Sequence, residues 1–242
     1  MAFPWQLPTK ALPQWGSLTL PSQCQVCHAW PTQRICHSCV TRFAAPRTRC
    51  QRCAIAVPAG TTVCSVCLRT PPSFDACLAA VDYVFPWVDL LADFKFRDDP
   101  NLAKPLAGLL RSAPWVEPAL DAADQIFPIP LAPQRLRERG YNQTAVLAQG
   151  LAPEKADART LLRVRETAIQ RELSRADRLH NLDNAFVLDP LRAPVLRGQR
   201  IVLVDDVMTT GATLNAASRV LREAGVVHIT ALVLARTPMP TT

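Results

Sequence analysis

An α/β domain with a central, mainly parallel sheet and flanking helices, preceded by a small cysteine-rich module, is the fold class that this sequence predicts. Three observations predict it. Eight of the nine cysteines fall into C-x-x-C pairs between Cys24 and Cys67. After Pro71-Pro72 the composition shifts, and short apolar runs begin to alternate with helical patterns. Near the C-terminus, Ile201-Val202-Leu203-Val204 reads as a strand buried on both faces of a parallel sheet.

A chain of 242 residues fits one small module and one medium domain. The expected division is an N-terminal extension over 1–23, a metal-binding module over 24–72 and an α/β domain over 73–242. Hydrophobic residues form 49% of the chain, enough for a sizeable core. No run of about 18 apolar residues exists, so no membrane span is expected. The first residues, MAFPWQLPTKALPQWGSLTL, place no basic cluster before an apolar stretch and do not read as a signal peptide. A cytoplasmic location is the resulting expectation.

The formal net charge of +7 is unevenly placed. Residues 1 to 74 hold Lys10, Arg34, Arg42, Arg47, Arg49, Arg52 and Arg69 and no acid, while the remainder balances. Metal-bound thiolates would offset part of this excess. A basic face there suits nucleic-acid phosphates. An ordinary solvated surface accounts for the same excess.

The four pairs are Cys24/Cys27, Cys36/Cys39, Cys50/Cys53 and Cys64/Cys67. A two-residue spacer lets both sulfurs converge on one ion, and two such knuckles complete a tetrahedral site. Two structural zinc ions, each held by four cysteines, are therefore expected. A disulfide scaffold is disfavoured by the reducing cytosol. A redox role suits one isolated pair better than four, and an iron–sulfur cluster stays open because cysteine alone does not select the metal. Sequential pairing, first with second and third with fourth, needs the shortest loops. His28 and His37 stand beside ligands as minority substitutes, and Cys77 reads as a small buried residue.

In the body, Ala79 to Val84 is expected as a strand, with helices over Trp87 to Phe96 and Leu102 to Leu110. Gln125 to Ile129 is strand-like, its pairing limited by Pro128 and Pro130. Gln134 to Leu151 has helical spacing, interrupted by Gly140. Arg159 to Val164 is a further candidate strand, and Glu166 to Asn181 is polar and Arg-rich. Ala212 to Ala224 is a helix ended by Gly225, and His228 to Leu234 a following strand. Strand, turn, helix and strand imply a right-handed parallel crossover.

The chemistry lies in Asp205-Asp206-Val207-Met208-Thr209-Thr210-Gly211-Ala212-Thr213. Ligands of open α/β sheets sit at the carboxyl ends of strands. Free amides and the positive end of a helix suit a phosphate there. Gly211 permits close backbone approach, and Thr209, Thr210 and Thr213 offer hydroxyls. The carboxylates of Asp205 and Asp206 repel phosphate and must face something that donates hydrogen bonds; sugar hydroxyls meet that requirement.

Ile201 to Thr213 resembles the phosphoribosyl pyrophosphate signature of type I phosphoribosyltransferases. The resemblance implies that Asp205 and Asp206 hold ribose hydroxyls, and that Thr209, Thr210, Gly211, Ala212 and Thr213 hold the 5-phosphate. The chain is also similar to the ComF (competence protein F, GntX-like) family, whose members join a cysteine module to a phosphoribosyltransferase-like domain. Segments carrying that likeness are Asp93 to Phe96, Pro128 to Leu131, Arg139 to Gln143, and Thr167 through Gln170 to Arg178 and Asn181. The family is associated with DNA uptake and use, which implies single-stranded DNA and a helicase-type competence protein as partners.

By the same resemblance, Pro128 to Arg139 corresponds to the pyrophosphate loop, with Arg135, Arg137 and Arg139 available. Thr167 to Arg178 corresponds to a mobile hood carrying Arg171, Arg175 and Arg178. Surface solvation explains each arginine equally well, and Lys95 is similarly ambiguous. Mg2+ is expected with the phosphoribosyl pyrophosphate ligand, where it acts by electrostatic stabilisation. One departure matters: purine-salvage relatives place an acid where this chain has Thr209, so the loop supplies no proton acceptor. His180 and His228 read as structural. The chain is thus either an enzyme or a non-catalytic accessory of nucleic-acid processing whose sugar-phosphate site senses a ligand.

Overall fold

The computed structural model describes residues 22–96, 99–164 and 185–239. Four strands form the central sheet: β1 (Ala76–Asp82), β2 (Gln125–Pro128), β5 (Arg200–Met208) and β6 (His228–Arg236), in the order β1-β6-β5-β2 and all parallel. The helices are α1 (His37–Phe43), α2 (Ser65–Arg69), α3 (Trp87–Phe96), α4 (Ala103–Arg111), α5 (Val116–Ala122), α6 (Pro133–Arg139), α7 (Gln143–Leu151) and α8 (Ala212–Glu223). A separate antiparallel pair joins β3 (Leu161–Arg163) to β4 (Phe186–Leu188). The expected strand around Arg159 to Val164 thus exists, but outside the main sheet.

Alternation along β5 builds two cores. Val202 and Val204 pack with Leu232 and Leu234 against α3, α4, α5 and α7. Ile201 and Leu203 face the other way, with Ala231 and Val233, against α8. Each covering helix carries a matching apolar stripe: Leu214, Ala217, Ser218 and Leu221 on α8, and Ala103, Leu106, Ala107 and Leu110 on α4, are all buried. With helices on both faces, continuous apolar runs in β5 and β6 follow directly. α5 was not anticipated, since its seven residues are too few to show a helical period.

Both sheet edges are covered. Along β2, the amide of Ile126 donates to the carbonyl of Lys155 at 2.8 Å. Pro128 sits at the end of this edge strand, where its missing donor does no harm. Along β1, the amide of Cys77 donates to the carbonyl of Gln51 at 2.9 Å, so the cysteine module closes that edge. Cys77 itself is buried, as expected.

The module is bonded to the body at several points. Arg34 pairs with Asp99 at 2.5 Å, Arg49 with Asp82 at 2.6 Å and Arg47 with Asp82 at 2.9 Å. The indole of Trp87 donates to the carbonyl of Phe43 at 3.0 Å. Three of the basic residues in the acid-free stretch therefore serve as staples to body carboxylates. Cys50, Cys53, Cys64 and Cys67 share one core with Phe74, Cys77 and Ile229 of the body, whereas Cys24, Cys36 and Cys39 form a small cluster of their own with Val26 and Phe43 against it.

Candidate functional site

The two cysteine groups are built by one repeated local design. A first knuckle, Cys24/Cys27 or Cys50/Cys53, turns so that the amide of His28 donates to the carbonyl of Cys24, and that of Ala54 to Cys50, at 2.9 and 2.8 Å. The second pair sits at a helix start, with Cys36 and Cys64 preceding α1 and α2. Two groups of four sulfurs result, Cys24/Cys27/Cys36/Cys39 and Cys50/Cys53/Cys64/Cys67, each within 4.8 Å. This is the sequential pairing. All nine cysteines are thiols and none is bridged. Neither His28 nor His37 joins a group.

The geometry fits a tetrahedral ion. Zinc–sulfur bonds of about 2.3 Å place sulfurs about 3.8 Å apart. Cys24–Cys39, Cys27–Cys36 and Cys53–Cys64 stand at 3.9, 3.7 and 3.7 Å. Burial opposes ionisation of Cys24 and Cys50, but amides of neighbouring residues, Cys36 and Cys64 among them, outweigh it. The two thiols fall to about 6 and about 7. Both groups can hold a metal ion, and their closed ligand sets suit a structural one.

At the other end of the domain, β5 runs past both acids to Met208, because β6 continues pairing with it to Arg236. The acids therefore lie within the strand, where adjacent side chains diverge to opposite faces. Asp206 turns toward α3 and α7. Nζ of Lys95 approaches its Oδ1 at 2.7 Å, and Nε2 of Gln143 donates to its Oδ2 at 2.8 Å. Asp206 and Gln143 are both buried, and Oε1 of Gln143 has no partner among the described residues. A carboxylate has about four acceptor sites, so each oxygen of Asp206 keeps capacity for a further donor.

Asp205 is half-buried, and its Oδ1 accepts the amide of Asp206 at 2.9 Å. Burial and the charge of Asp206 push its carboxyl up to about 7, against the pull of Lys95 and Arg163. The two neighbouring acids thus differ in setting: one is paired with a cation, the other sits near neutrality.

The loop after β5 keeps its donors outward. Gly211 is left-handed, with φ 81° and ψ 5°, and caps α8. The hydroxyl of Thr210 accepts the amide of Ala212 at 3.3 Å. Among the described residues, no hydrogen bond occupies the amides of Thr209, Thr210, Gly211 or Thr213. Thr209 and Thr210 are exposed. Free amides at the start of a twelve-residue helix form a ready anion cradle.

The segment after β2 is fixed from the same side. Nδ2 of Asn142 and the hydroxyl of Thr144 both donate to the carbonyl of Ile129, at 3.2 and 2.7 Å. The Asn142 side chain also caps α7 through the amide of Thr144. Tyr141 donates to the carbonyl of Phe94, tying this turn to α3 one residue before Lys95. Gly140, left-handed at φ 72°, ends α6 and splits the expected single helix into α6 and α7.

Of the arginines proposed for pyrophosphate, Arg139 lies near Asp206. Desolvation pulls its guanidinium down and the Asp206 charge raises it. Arg135 is half-buried on α6 and Arg137 is exposed. Within the segment likened to the pyrophosphate loop, Pro133 to Arg139 is helical, in line with the helical spacing read from Gln134, with Pro favoured at that first position. Arg171, Arg175 and Arg178 lie outside the described residues, as does His180. His228 starts β6 with Nδ1 at 3.6 Å from Asp75, a structural setting.

One residue escaped the sequence reading. Arg236, buried at the end of β6, donates to the carbonyls of Cys53, Met208, Thr209 and Thr237. Its only signal was a cation ending an apolar strand. Gln143 was quoted as part of a motif without a role, and Lys95 was left ambiguous.

A parallel sheet whose strand carries paired acids into a Thr-rich loop at a helix N-terminus defines a domain of the phosphoribosyltransferase type. Residues 126–241 match the phosphoribosyl transferase domain family. Over 229 residues the chain is 33% identical to the DNA utilization protein YhgH of Salmonella typhimurium (strain LT2), covering 91% of this chain and 99% of that protein. It is 31% identical over 234 residues to the YhgH of Escherichia coli (strain K12), covering 91% and 99%. To Competence protein F of Haemophilus influenzae it is 38% identical over 180 residues, covering 72% and 78%. With two four-cysteine groups ahead of the domain, the chain belongs to the ComF family. No helix among the described residues is long and apolar enough to cross a membrane.

Proposed function

We propose that this protein binds phosphoribosyl pyrophosphate with Mg2+ at the carboxyl end of β5, and serves the uptake or use of DNA. The observation that carries the ligand is the set of amides at Thr209, Thr210, Gly211 and Thr213 that have no partner among the described residues, beside the acids of β5. The 5-phosphate sits on those amides, with the hydroxyls of Thr209 and Thr213. Asp205 and Asp206 accept from the ribose hydroxyls. Arg139 and Arg135 stand on the pyrophosphate side, with Arg175 and Arg178 as hood donors. Mg2+ bound with the ligand would offset the charge of the leaving pyrophosphate. The relatives named for DNA utilization and competence support the cellular setting. Zinc in the two cysteine groups gives the module its structure.

In the catalytic form of this reading, a nucleophile displaces pyrophosphate from the ribose. A second reading, a nucleic-acid accessory that senses the ligand without turnover, is favoured by one observation: Thr209 stands in the loop where purine-salvage relatives carry a proton-accepting acid. Arg42, Arg52 and Arg69 of the module are then the contacts to single-stranded DNA.

Thermal unfolding with phosphoribosyl pyrophosphate and Mg2+ tests the site. Ligand at a hundredfold excess over its dissociation constant stabilises by about 2.7 kcal/mol. Asp206→Asn, which keeps the side-chain shape, is expected to remove that rise; a rise of unchanged size overturns the assignment. Pyrophosphate release with one member of a nucleobase panel establishes turnover, and silence across the panel favours the accessory. Metal analysis is expected to return about two zinc ions per chain.

A further inference from the structure

Arg236 is 7% exposed, and among the described residues no carboxylate pairs with it. A buried guanidinium without a counter-ion is costly unless its donors are satisfied. Here Nε and Nη1 are bonded to backbone carbonyls alone. Nε donates to the carbonyl of Cys53 at 2.8 Å. Nη1 lies 3.0 Å from the carbonyl of Met208, 2.6 Å from that of Thr209 and 2.8 Å from that of Thr237. One side chain thus holds a ligand residue of the second four-cysteine group and the base of the phosphate loop.

The consequence follows from peptide geometry. In a planar trans peptide the C=O and N–H point in opposite directions. The carbonyl of Met208 and the amide of Thr209 share one peptide, and the carbonyl of Thr209 and the amide of Thr210 share the next. By drawing both carbonyls inward, Arg236 turns the amides of Thr209 and Thr210 outward. These are two of the amides without a partner among the described residues. The amide of Thr237 adds to the hold by donating to the carbonyl of Met208 at 3.0 Å.

The same guanidinium needs its fourth acceptor, the carbonyl of Cys53, in place. That carbonyl follows a thiolate ligand, in a module whose short segments gain their order from metal. A four-thiolate zinc site also carries about two net negative charges, which favour a buried cation beside it. We infer that Arg236 is a positioning residue which aims the phosphate-loop amides, and that through Cys53 it makes the loop's order depend on metal in the second cysteine group and not the first. The link to phosphate binding rests on the reading proposed above; the ordering of the loop does not.

Amide hydrogen exchange on the full chain tests it without ligand. Arg236→Met is expected to raise exchange at the hydrogen-bonded amides that tie the loop, those of Ala212, Asn215 and Thr237, by about tenfold or more, as for loss of charged hydrogen bonds, while residues 200–205 of β5 stay protected. Arg236→Lys, which keeps the charge but not the fork of donors, raises it less and decides the matter should the Met variant fail to fold. Cys67→Ser, with metal loss verified by elemental analysis, is expected to loosen the same segment; Cys39→Ser is not. Unchanged exchange in both Arg236 variants overturns the inference, as do equal effects of the two cysteine variants. Calorimetric titration with phosphoribosyl pyrophosphate and Mg2+ forms a second arm, where Arg236→Lys should bind about tenfold more weakly. A wild-type chain that binds none of it sinks the ligand assignment and leaves the exchange result to judge Arg236.

Discussion

Nζ of Lys95 lies 2.7 Å from Oδ1 of Asp206, so one acid of the phosphate strand is neutralised by a residue more than a hundred positions earlier in the chain. The pair joins α3 to β5. Its neighbour Gln143 donates to the other carboxylate oxygen at 2.8 Å. With Asp206 buried, removing the bonded cation leaves a charge held by the neutral donor Gln143, with the guanidinium of Arg139 nearby.

Lys95→Met is therefore expected to lower stability by about 2 kcal/mol, a fall in melting temperature of about 4–8 °C for a chain of this size. Lys95→Met combined with Asp206→Asn should recover most of that loss, because the orphaned charge is gone. Scanning calorimetry of the single and double variants gives the answer. A double variant no more stable than Lys95→Met alone would show that the two side chains are not energetically coupled.

Asp205 provides a pH signature. Its folded-state carboxyl is raised, by burial and by Asp206, from 3.8 to about 7. The folded chain then holds more protons than the unfolded one between those values, so stability falls as pH rises through that window. Above about 7 the contribution is fully lost and the dependence is flat. Asp75 and Asp157 are lowered, despite the opposing effect of burial, by hydrogen bonds and arginine partners; their stabilisation is lost only as pH falls below the ordinary carboxylate range. The two windows do not overlap. Wild type minus Asp205→Asn, followed by urea unfolding from pH 4 to 8, should isolate the falling limb; identical slopes would refute the raised carboxyl.

Legibility in the sequence followed the range of the interactions. Trp87–Phe96 was readable as a helix to the residue, and β5, α8 and β6 were readable as elements, because local periodicity carries them. The cysteine groups were readable because spacing alone brings sulfurs together. What stayed hidden is convergence. Lys95, Gln143 and Asp206 meet only once α3 and α7 are packed on one face of the sheet, and no pattern in the chain announces that. Arg236 reaches Met208 and Thr209 because β6 lies beside β5 in that register, and reaches Cys53 because the module covers the edge of β1. The end of β5 was also misjudged: two acids after an apolar run look like a strand exit, yet β6 keeps pairing with them to Met208.

Asp82 tests how the module is held. Its carboxylate accepts from Arg49 at 2.6 Å and Arg47 at 2.9 Å, with 9% of its side chain exposed. Arg49 also donates to the carbonyl of Ala54 at 3.0 Å, beside the second cysteine group. Asp82→Asn leaves two guanidinium groups without their charge partner and should cost about 1–3 kcal/mol. Arg47 is largely exposed, so Arg47→Ala should cost under about 1 kcal/mol. Chemical denaturation of both variants distinguishes a shared buried staple from two independent surface pairs; equal losses would argue for the latter.

Gly211 gives the sharpest local test of the phosphate loop. Its φ of 81° is left-handed, and a Cβ there would lie 2.6 Å from the terminal methyl of Met208. That methyl belongs to a flexible side chain, but Met208 is buried, with its sulfur 3.6 Å from that of Cys77, so it has little room to yield. Gly140 has a similar φ of 72° with nothing within 4 Å, so Gly140→Ala carries the backbone strain alone. Both substitutions should cost about 1 kcal/mol through φ, and Gly211→Ala about 1 kcal/mol more through displacement of Met208. A matched pair of melting curves measures that difference. Because the Met208 carbonyl is held by Arg236 and by the amide of Thr237, Gly211→Ala should also raise amide exchange at Thr237. If Gly211→Ala proves no worse than Gly140→Ala on both measures, close packing beneath the loop is not what shapes it.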